Sequence, residues 1–471
     1  QPLEPFVEKI ISYLDEEYGS FKGAPKFPQF YMFDAIFYFY LKTNNQKYLT
    51  PVEKLLSNIS SKGVYDQLAG GIARYAVDEK WVIPHFEKML YDNIQYISLL
   101  TKFYQKTKKE YFKKKLIQTI NFINKEFKNE ENLYGSAYDA DSEGIEGKYY
   151  VWSYEELKKL LENDFVLFEK KYEISNTGNF EGKNILVESK IKLNEEEENK
   201  IAKINDKLIQ ERKKRIKPFF DNKVQTDLNC FWLYSNLYSS LILDDQELYK
   251  KTIDSIDRIN DKLKKNIFHC YNKKNEEIDV FLEDYVYYSL LLITMYEINN
   301  DKVSLEKCEK KMEECWQLFF NKENNLLQKN ILKSNDLFVQ PIDIADSNVP
   351  NGNSIFLLIC KKLSNITNNK LWNEKLNILS KSFHSYINYN FSQMFSYLKI
   401  LDICTENITV TLHGKVNEKI KNEILKKFMG NVSIIYKESD DEFFIVICKS
   451  QTCSEKLKDL KQVDDYIKSN L

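Results

Sequence analysis

The chain has 471 residues, 43% apolar and 29% charged, enough for one large soluble-type domain with a small one or for two or three ordinary domains. Lys plus Arg (68) nearly cancels Asp plus Glu (70), giving −2, so no general electrostatic drive pulls the chain towards nucleic acid or an anionic membrane. Gly (13) and Pro (9) are scarce, which favours long helices over many short strands, and no apolar run reaches the roughly 18 residues of a membrane span.

In chain order, most segments repeat their apolar residues at helical period. Glu4–Leu14 puts Phe6, Ile10, Ile11 and Leu14 on one face, and Phe30–Leu41 is apolar almost all round, as a buried inner helix is. Further helices are predicted over 47–60, 86–106, 108–127, 153–161, 195–214, 227–243, 245–265, 281–297, 303–320, 351–364 and 368–386. All-round apolar helices alternate with amphipathic ones, which fits two concentric layers. Leu90-Tyr91-Asp92 through Tyr104 and Leu282-Glu283-Asp284 through Tyr296 share L-x-D-x-[IV]-x-Y-x-x-L-L-x-x-x-Y. That pattern suggests a repeated hairpin with an Asp near the start of two equivalent inner helices. Such an Asp also suits the helix dipole. The charged runs Glu195–Asn199 and Arg212–Lys217 read as the solvated ends of one helix. The character changes near 405: strands are predicted at 408–412, 432–436 and 443–448, with helices at 415–428 and 454–468.

Four segments concentrate reactive side chains. Phe21–Pro28 is a stiff connector with a glycine and two prolines. Tyr65–Asn93 sets Asp66, Arg74, His85 and Glu87 among aromatics, and a His beside a carboxylate can titrate near neutral pH as acid or base. Ser136–Trp152 carries Asp139, Asp141, Glu143 and Glu146 within eight residues. It lacks the full twelve-residue calcium loop. Crowded carboxylates raise the pKa of one of them, so one can act as acid while another stays ionised. Asp343–Ser354 ends in Asn and Ser groups, including Asn353, that either cap a helix or bind ligand hydroxyls. There is no Walker loop, no G-x-G-x-x-G, no H-E-x-x-H and no G-x-S-x-G. Eight scattered cysteines do not make a secreted disulfide framework, so a reducing, cytoplasmic setting is expected; Cys448 and Cys453 read as two unrelated thiols.

Together these segments resemble the YyaL-like, spermatogenesis-associated thioredoxin-domain family. The resemblance is carried by Gly23-Ala24-Pro25-Lys26-Phe27-Pro28, Gly70-Gly71 with Arg74-Tyr75 and Asp78, and Trp81 followed by Pro84-His85-Phe86-Glu87-Lys88-Met89-Leu90-Tyr91-Asp92-Asn93. Asp139-Ala140-Asp141-Ser142-Glu143-Gly144, Glu146-Gly147, Tyr149–Trp152, Gly178-Asn179, Glu181-Gly182, Glu283-Asp284-Tyr285 and Gly352-Asn353-Ser354 continue it in order. It implies an all-α (α/α)6 six-hairpin toroid related to N-acylglucosamine 2-epimerases over residues 1–404, with a small C-terminal α/β module over 405–471. It also implies a thioredoxin-like domain ahead of the toroid, and Gln1 reads as starting just after it. Asn222, Leu228-Asn229-Cys230 and Asn351 depart from the family's usual Asp, Trp-Asn-Gly and Ser, which weakens the case for full activity in the second half. Cys448 and Cys453 resemble a C-terminal cysteine pair common in the family.

The expected function is acid/base chemistry on a small carbohydrate or sugar derivative, as in sugar epimerases, isomerases or glycoside hydrolases. The expected catalytic residues are His85, Asp141, Glu143 and Asp284, with His85 and Asp141 moving protons. The expected binding residues are Asp66, Arg74, Tyr75, Trp81, Glu87, Asp139, Trp152 and Asn353, with Trp81, Tyr75 and Trp152 stacking on substrate. His269 and His384 are possible partners for His85, while His413 lies in the C-terminal module. No metal, cofactor, nucleic acid or membrane is expected. The rival reading is a non-catalytic scaffold serving a thioredoxin-like partner.

Overall fold

A computed structural model describes residues 3–271, 279–331 and 344–471. Gln1 and Asp343 lie outside the described residues. Helices dominate, and none among the described residues is long and apolar enough to cross a membrane. The chain divides into two compact units. One holds Gln1–Glu8, Asp34–Asn44 and Val224–Leu471; the other holds Lys9–Phe33 and Asn45–Lys223.

In the first unit three inner helices pack side by side: Thr226–Leu243, Leu282–Asn299 and Gly352–Thr367. Each turns back into an outer helix against it, Gln246–Lys262, Lys302–Phe319 and Lys370–Asn390 respectively. Burial explains the sequence contrast. Every residue of Leu282–Ile298 is buried, whereas Gln246–Lys262 buries only one stripe through Leu248, Thr252, Ile256 and Ile259. Asn300 and Asn368 end two inner helices in the left-handed conformation, which Asn tolerates better than most residues. Phe395–Glu406, not foreseen as a helix, packs on Gly352–Thr367.

The C-terminal α/β module belongs to this unit. Its sheet runs Ser433–Lys437, Ile408–His413, Phe444–Lys449, Thr452–Cys453. The first pair is parallel, joined through the Glu418–Phe428 helix, because parallel neighbours need a crossover. Val410, Leu412, Ile434, Ile445 and Ile447 fill its core. Cys448 and Cys453 stand directly opposite across the last two strands and form a disulfide. The unrelated-thiols reading is corrected here: a tight turn at Ser450 brings together what spacing alone left open. The other six cysteines are free and buried.

In the second unit the inner helix Leu90–Thr107 packs on Glu110–Phe122, whose last turn widens into a π-turn over Ile123–Phe127. The expected start at 86 is shifted because Lys88–Met89 pairs with Ala137–Tyr138 as a short strand. That strand in turn pairs with Phe220–Asp221. A second apolar cluster joins Trp152 to Leu157, Phe168, Ile204 and Leu208 of the helices Tyr154–Leu161, Phe165–Lys171 and Glu195–Arg212. Phe165–Lys171 was not foreseen, being too short to show a period.

Candidate functional site

Inner helices place the same residue types at their N-termini. Asp92 lies in the first turn of Leu90–Thr107, Asp227 in that of Thr226–Leu243, and Asp284 in that of Leu282–Asn299. A neighbouring Asn holds the preceding loop in two helices. Asn93 bonds the backbone N and O of Ile72, and Asn353 does the same to Leu327. Asn353 is wholly buried, so this expected substrate-binding amide serves the backbone instead.

In the first unit, side chains far apart in sequence converge. Asp227, His269 and Asp284 each offer a ligand atom within 4.8 Å of the others. His269 Nδ1 lies 3.1 and 3.2 Å from the two Asp284 oxygens. Its Nε2 lies 3.2 Å from Gln225 Nε2. With the proton on Nδ1, the ring donates to Asp284 and accepts from the Gln225 amide. Asp284 is fully buried and also accepts from the Phe281 N–H (2.8 Å) and the Asp227 N–H (3.2 Å). Burial, then the Asp284 charge, pushes Asp227 up to about 7 despite the opposing pull of His269. Burial likewise raises Asp284, although His269 opposes it. His269 rises because the hydrogen bond and charge of Asp284 outweigh its own desolvation. The cluster therefore places a carboxyl raised to about 7 beside an imidazole raised above its ordinary value.

A pH dependence follows. A carboxyl whose folded pKa exceeds its unfolded value stabilises fully below the unfolded value, and that stability is lost as pH rises through the folded one. Asp227 therefore contributes below about 3.8, and its contribution disappears as pH rises through about 7. Asp227→Asn should flatten this part of the profile. Urea midpoints at pH 5 and pH 8 check it: the wild type should lose more stability than the variant over that interval.

In the second unit, His85 Nδ1 lies 3.0 Å from Glu146 Oε1, with both side chains part-exposed. Its ring stacks on Tyr75 at 4.8 Å, and Tyr75 stacks on Phe27 at 4.8 Å. Arg74 lies 3.5 Å from Glu87. Asp139 and Asp141 are exposed, and Glu143 pairs with Lys148 at 2.7 Å. Asp141 sits opposite Glu146 in the hairpin of Asp141–Ser142 and Ile145–Glu146. His85, Glu146 and Asp141 thus share one hairpin surface.

Two aromatic expectations are corrected. Trp81 and Trp152 are wholly buried, Trp81 donating to the Tyr18 carbonyl at 2.8 Å and Trp152 lying under Arg215 at 3.9 Å. Large rings with their faces covered are packing elements, not stacking platforms. Asp66 is buried too. It binds Arg212 through both oxygens (3.0 and 2.8 Å) and Lys88 at 2.8 Å. Arg212, read as part of a solvated run, is therefore an interior residue. The sequence also passed over Asp227 and Gln225; the signal available was an Asp in the first turn of a helix, as at Asp92 and Asp284.

No family model matches the chain. Spermatogenesis-associated protein 20 of Mus musculus is 26% identical over 424 residues, covering 78% of this chain and 53% of its own length. The Homo sapiens protein of that name is 24% identical over 425 residues, 78% of this chain and 54% of its own. This chain thus spans about half the length of these relatives. An uncharacterized Caenorhabditis elegans protein is 22% identical over 534 residues, 96% of this chain and 72% of its own. Among solved structures, a D-mannose isomerase aligns with TM-score 0.54 and 8% identity, covering 85% of this chain and 96% of its own. A cellobiose 2-epimerase of Bacillus thermoamylovorans aligns with TM-score 0.52 and 13% identity, covering 81% and 84%. At such identities the likeness shows the fold, the (α/α)6 toroid of these sugar-isomerising enzymes. Sequence relatives and fold together support the resemblance to the spermatogenesis-associated, YyaL-like family, on an (α/α)6 toroid like that of the sugar epimerases and isomerases it aligns with.

Proposed function

We propose that this chain binds a small sugar or sugar derivative and moves a proton on it, with Asp227, His269 and Asp284 as the acid/base centre. The carrying observation is the convergence of two carboxyls and an imidazole at the N-terminal ends of neighbouring inner helices, with Asp227 pushed up to about 7. A group titrating there can both take and return a proton at neutral pH. The three groups lie within 4.8 Å, closer than the roughly 6.5–9.5 Å an inverting hydrolase leaves for its water. That spacing favours epimerisation or isomerisation over inverting hydrolysis. In this reading Asp284 holds the His269 ring, and His269 with Asp227 exchanges the proton next to a sugar carbonyl.

Incubation with mannose, fructose, glucose and cellobiose in deuterated water tests it, with proton NMR following exchange at C2. Exchange should appear with at least one sugar, and Asp284→Asn should slow it by at least about a hundredfold. No exchange with any of them would count against the reading.

A second reading puts proton transfer at His85, with Asp141 and Glu143 beside it, Asp66, Arg74, Glu87 and Asp139 orienting substrate and Tyr75 stacking. The part-exposed His85–Glu146 contact favours it. If His85→Ala abolishes exchange and Asp284→Asn does not, this second reading wins. The complete burial of Asp284 favours the third reading, a non-catalytic scaffold for a thioredoxin-like partner.

A further inference from the structure

The second unit contains a basic pocket that the acid/base centre does not use. A cavity of about 180 Å³ opens between the Glu110–Phe122 helix with its π-turn, the Tyr149-Tyr150 loop and the end of the Glu195–Arg212 helix. At roughly 30 Å³ of liquid volume per water it holds about six waters, the space of one small ring or of a phosphate with a short tail. Its walls include Phe122, Tyr138, Tyr149 and Tyr150.

Its polar lining is one-sided. Lys88, Lys125, Arg212, Lys213 and Lys217 face two carboxylates, Asp66 and Glu126, a surplus of three positive charges. Asp66 is committed to Arg212 and Lys88, and Glu126 to Lys217 at 2.7 Å. Among the described residues Lys125 pairs with no carboxylate, and Lys213 reaches only the Gln210 side-chain oxygen, at 3.4 Å.

The buried cations keep donors in hand. Lys88 and Arg212 are each 5% exposed. Arg212 has five N–H donors and directs two of its nitrogens at Asp66. Lys88 has three, and gives two to Asp66 and the Gly70 carbonyl. The remaining N–H groups have no protein acceptor among the described residues. Donors not committed to protein acceptors are left to bond water or a ligand in the cavity. Both cations also lie against the aromatic walls: Lys88 Nζ is 4.4 Å from the Phe122 ring centre, and Arg212 Cζ is 5.2 Å from that of Tyr149.

We propose that this pocket binds the phosphate group of a small phosphorylated molecule, Lys88 and Arg212 supplying buried donors and Lys125 and Lys213 closing over it from the rim. A dianion matches the charge surplus better than a neutral sugar does, and charge-assisted bonds to phosphate are the strong ones. The site goes beyond the acid/base reading and does not depend on it.

Isothermal titration of the full chain with glucose 6-phosphate, inorganic phosphate and glucose tests it, beside the rim variant Lys125→Glu/Lys213→Glu. Both rim lysines are exposed, and an unchanged melting temperature would show that the variant is folded. Glucose 6-phosphate should bind saturably and more tightly than glucose. Inorganic phosphate should compete with it. The rim variant and raised salt should each weaken binding by about tenfold. The proposal is overturned if glucose 6-phosphate gives no binding, if glucose binds as tightly, or if the folded rim variant binds undiminished. Because the exchange assay uses only uncharged sugars, its failure and the failure of this proposal are separate results.

Discussion

Lys362→Met is expected to destabilise the chain by about 3–5 kcal/mol, the usual cost of removing one partner from a buried ion pair. Lys362 Nζ lies 2.7 and 2.9 Å from the two Glu297 oxygens and 2.6 Å from the Val432 carbonyl. Glu297 Oε1 also accepts the Ile434 N–H at 3.2 Å. The side chains are 3% and 1% exposed. Burial raises the Glu297 pKa even though Lys362 opposes it, so the carboxylate depends on its one cationic partner. The methionine would fill the lysine's volume while leaving that carboxyl and the Val432 carbonyl short of a donor. The pair ties the Leu282–Asn299 and Gly352–Thr367 helices to the Ser433–Lys437 strand, so the C-terminal sheet should loosen first. Urea unfolding of Lys362→Met, Glu297→Met and the double variant measures it. The double variant should recover a large part of the loss, because no unpaired charge stays inside. A single-variant loss below about 1 kcal/mol would mean that the pair is solvated and ordinary.

The second large effect is expected at Asp66. Asp66→Ala should cost at least about 3–5 kcal/mol, since it strands two buried cations side by side rather than one. Burial alone would raise the Asp66 pKa; the charges of Arg212 and Lys88 and their hydrogen bonds overcome that and hold it well below the usual carboxylate range. The carboxylate also accepts the Leu68 and Ala69 N–H groups at 3.1 and 3.2 Å, fixing the turn before Gly70. A depressed pKa gives stability above the unfolded value of about 3.8 that is lost as pH falls through the folded one. Asp66→Asn keeps an acceptor for the turn but not the charge, so it separates the two contributions. Circular-dichroism melts of both variants at neutral pH are the check. Equal melting temperatures for Asp66→Asn and wild type would show that the charge contributes nothing.

Much of the fold was legible because burial leaves a period in the chain. Phe30–Thr43, Leu90–Thr107 and Leu282–Asn299 are apolar on most faces, and their outer partners are not. The shared pattern around Asp92 and Asp284 also marked two helix starts correctly. The expected helix at 86–106 began late because Lys88–Met89 finds a strand partner at Ala137–Tyr138, a choice no local window contains. The short Phe165–Lys171 helix shows too little of one turn-to-turn pattern to be read.

The candidate site was legible only in part. The sequence by itself determined the helical layers, the strand pattern of the last segment and the place of Asp284 at an inner helix start. Only tertiary structure decided that His269 and Asp227 stand beside Asp284, that Arg212 and Lys88 enclose Asp66, that Cys448 meets Cys453, and that Trp81 and Trp152 are covered. The physical reason is range. Helix period and capping act over a few residues and leave a local trace, whereas partners such as residues 66 and 212 meet only when whole helices pack, and their charges shift pKa values only after water has been excluded.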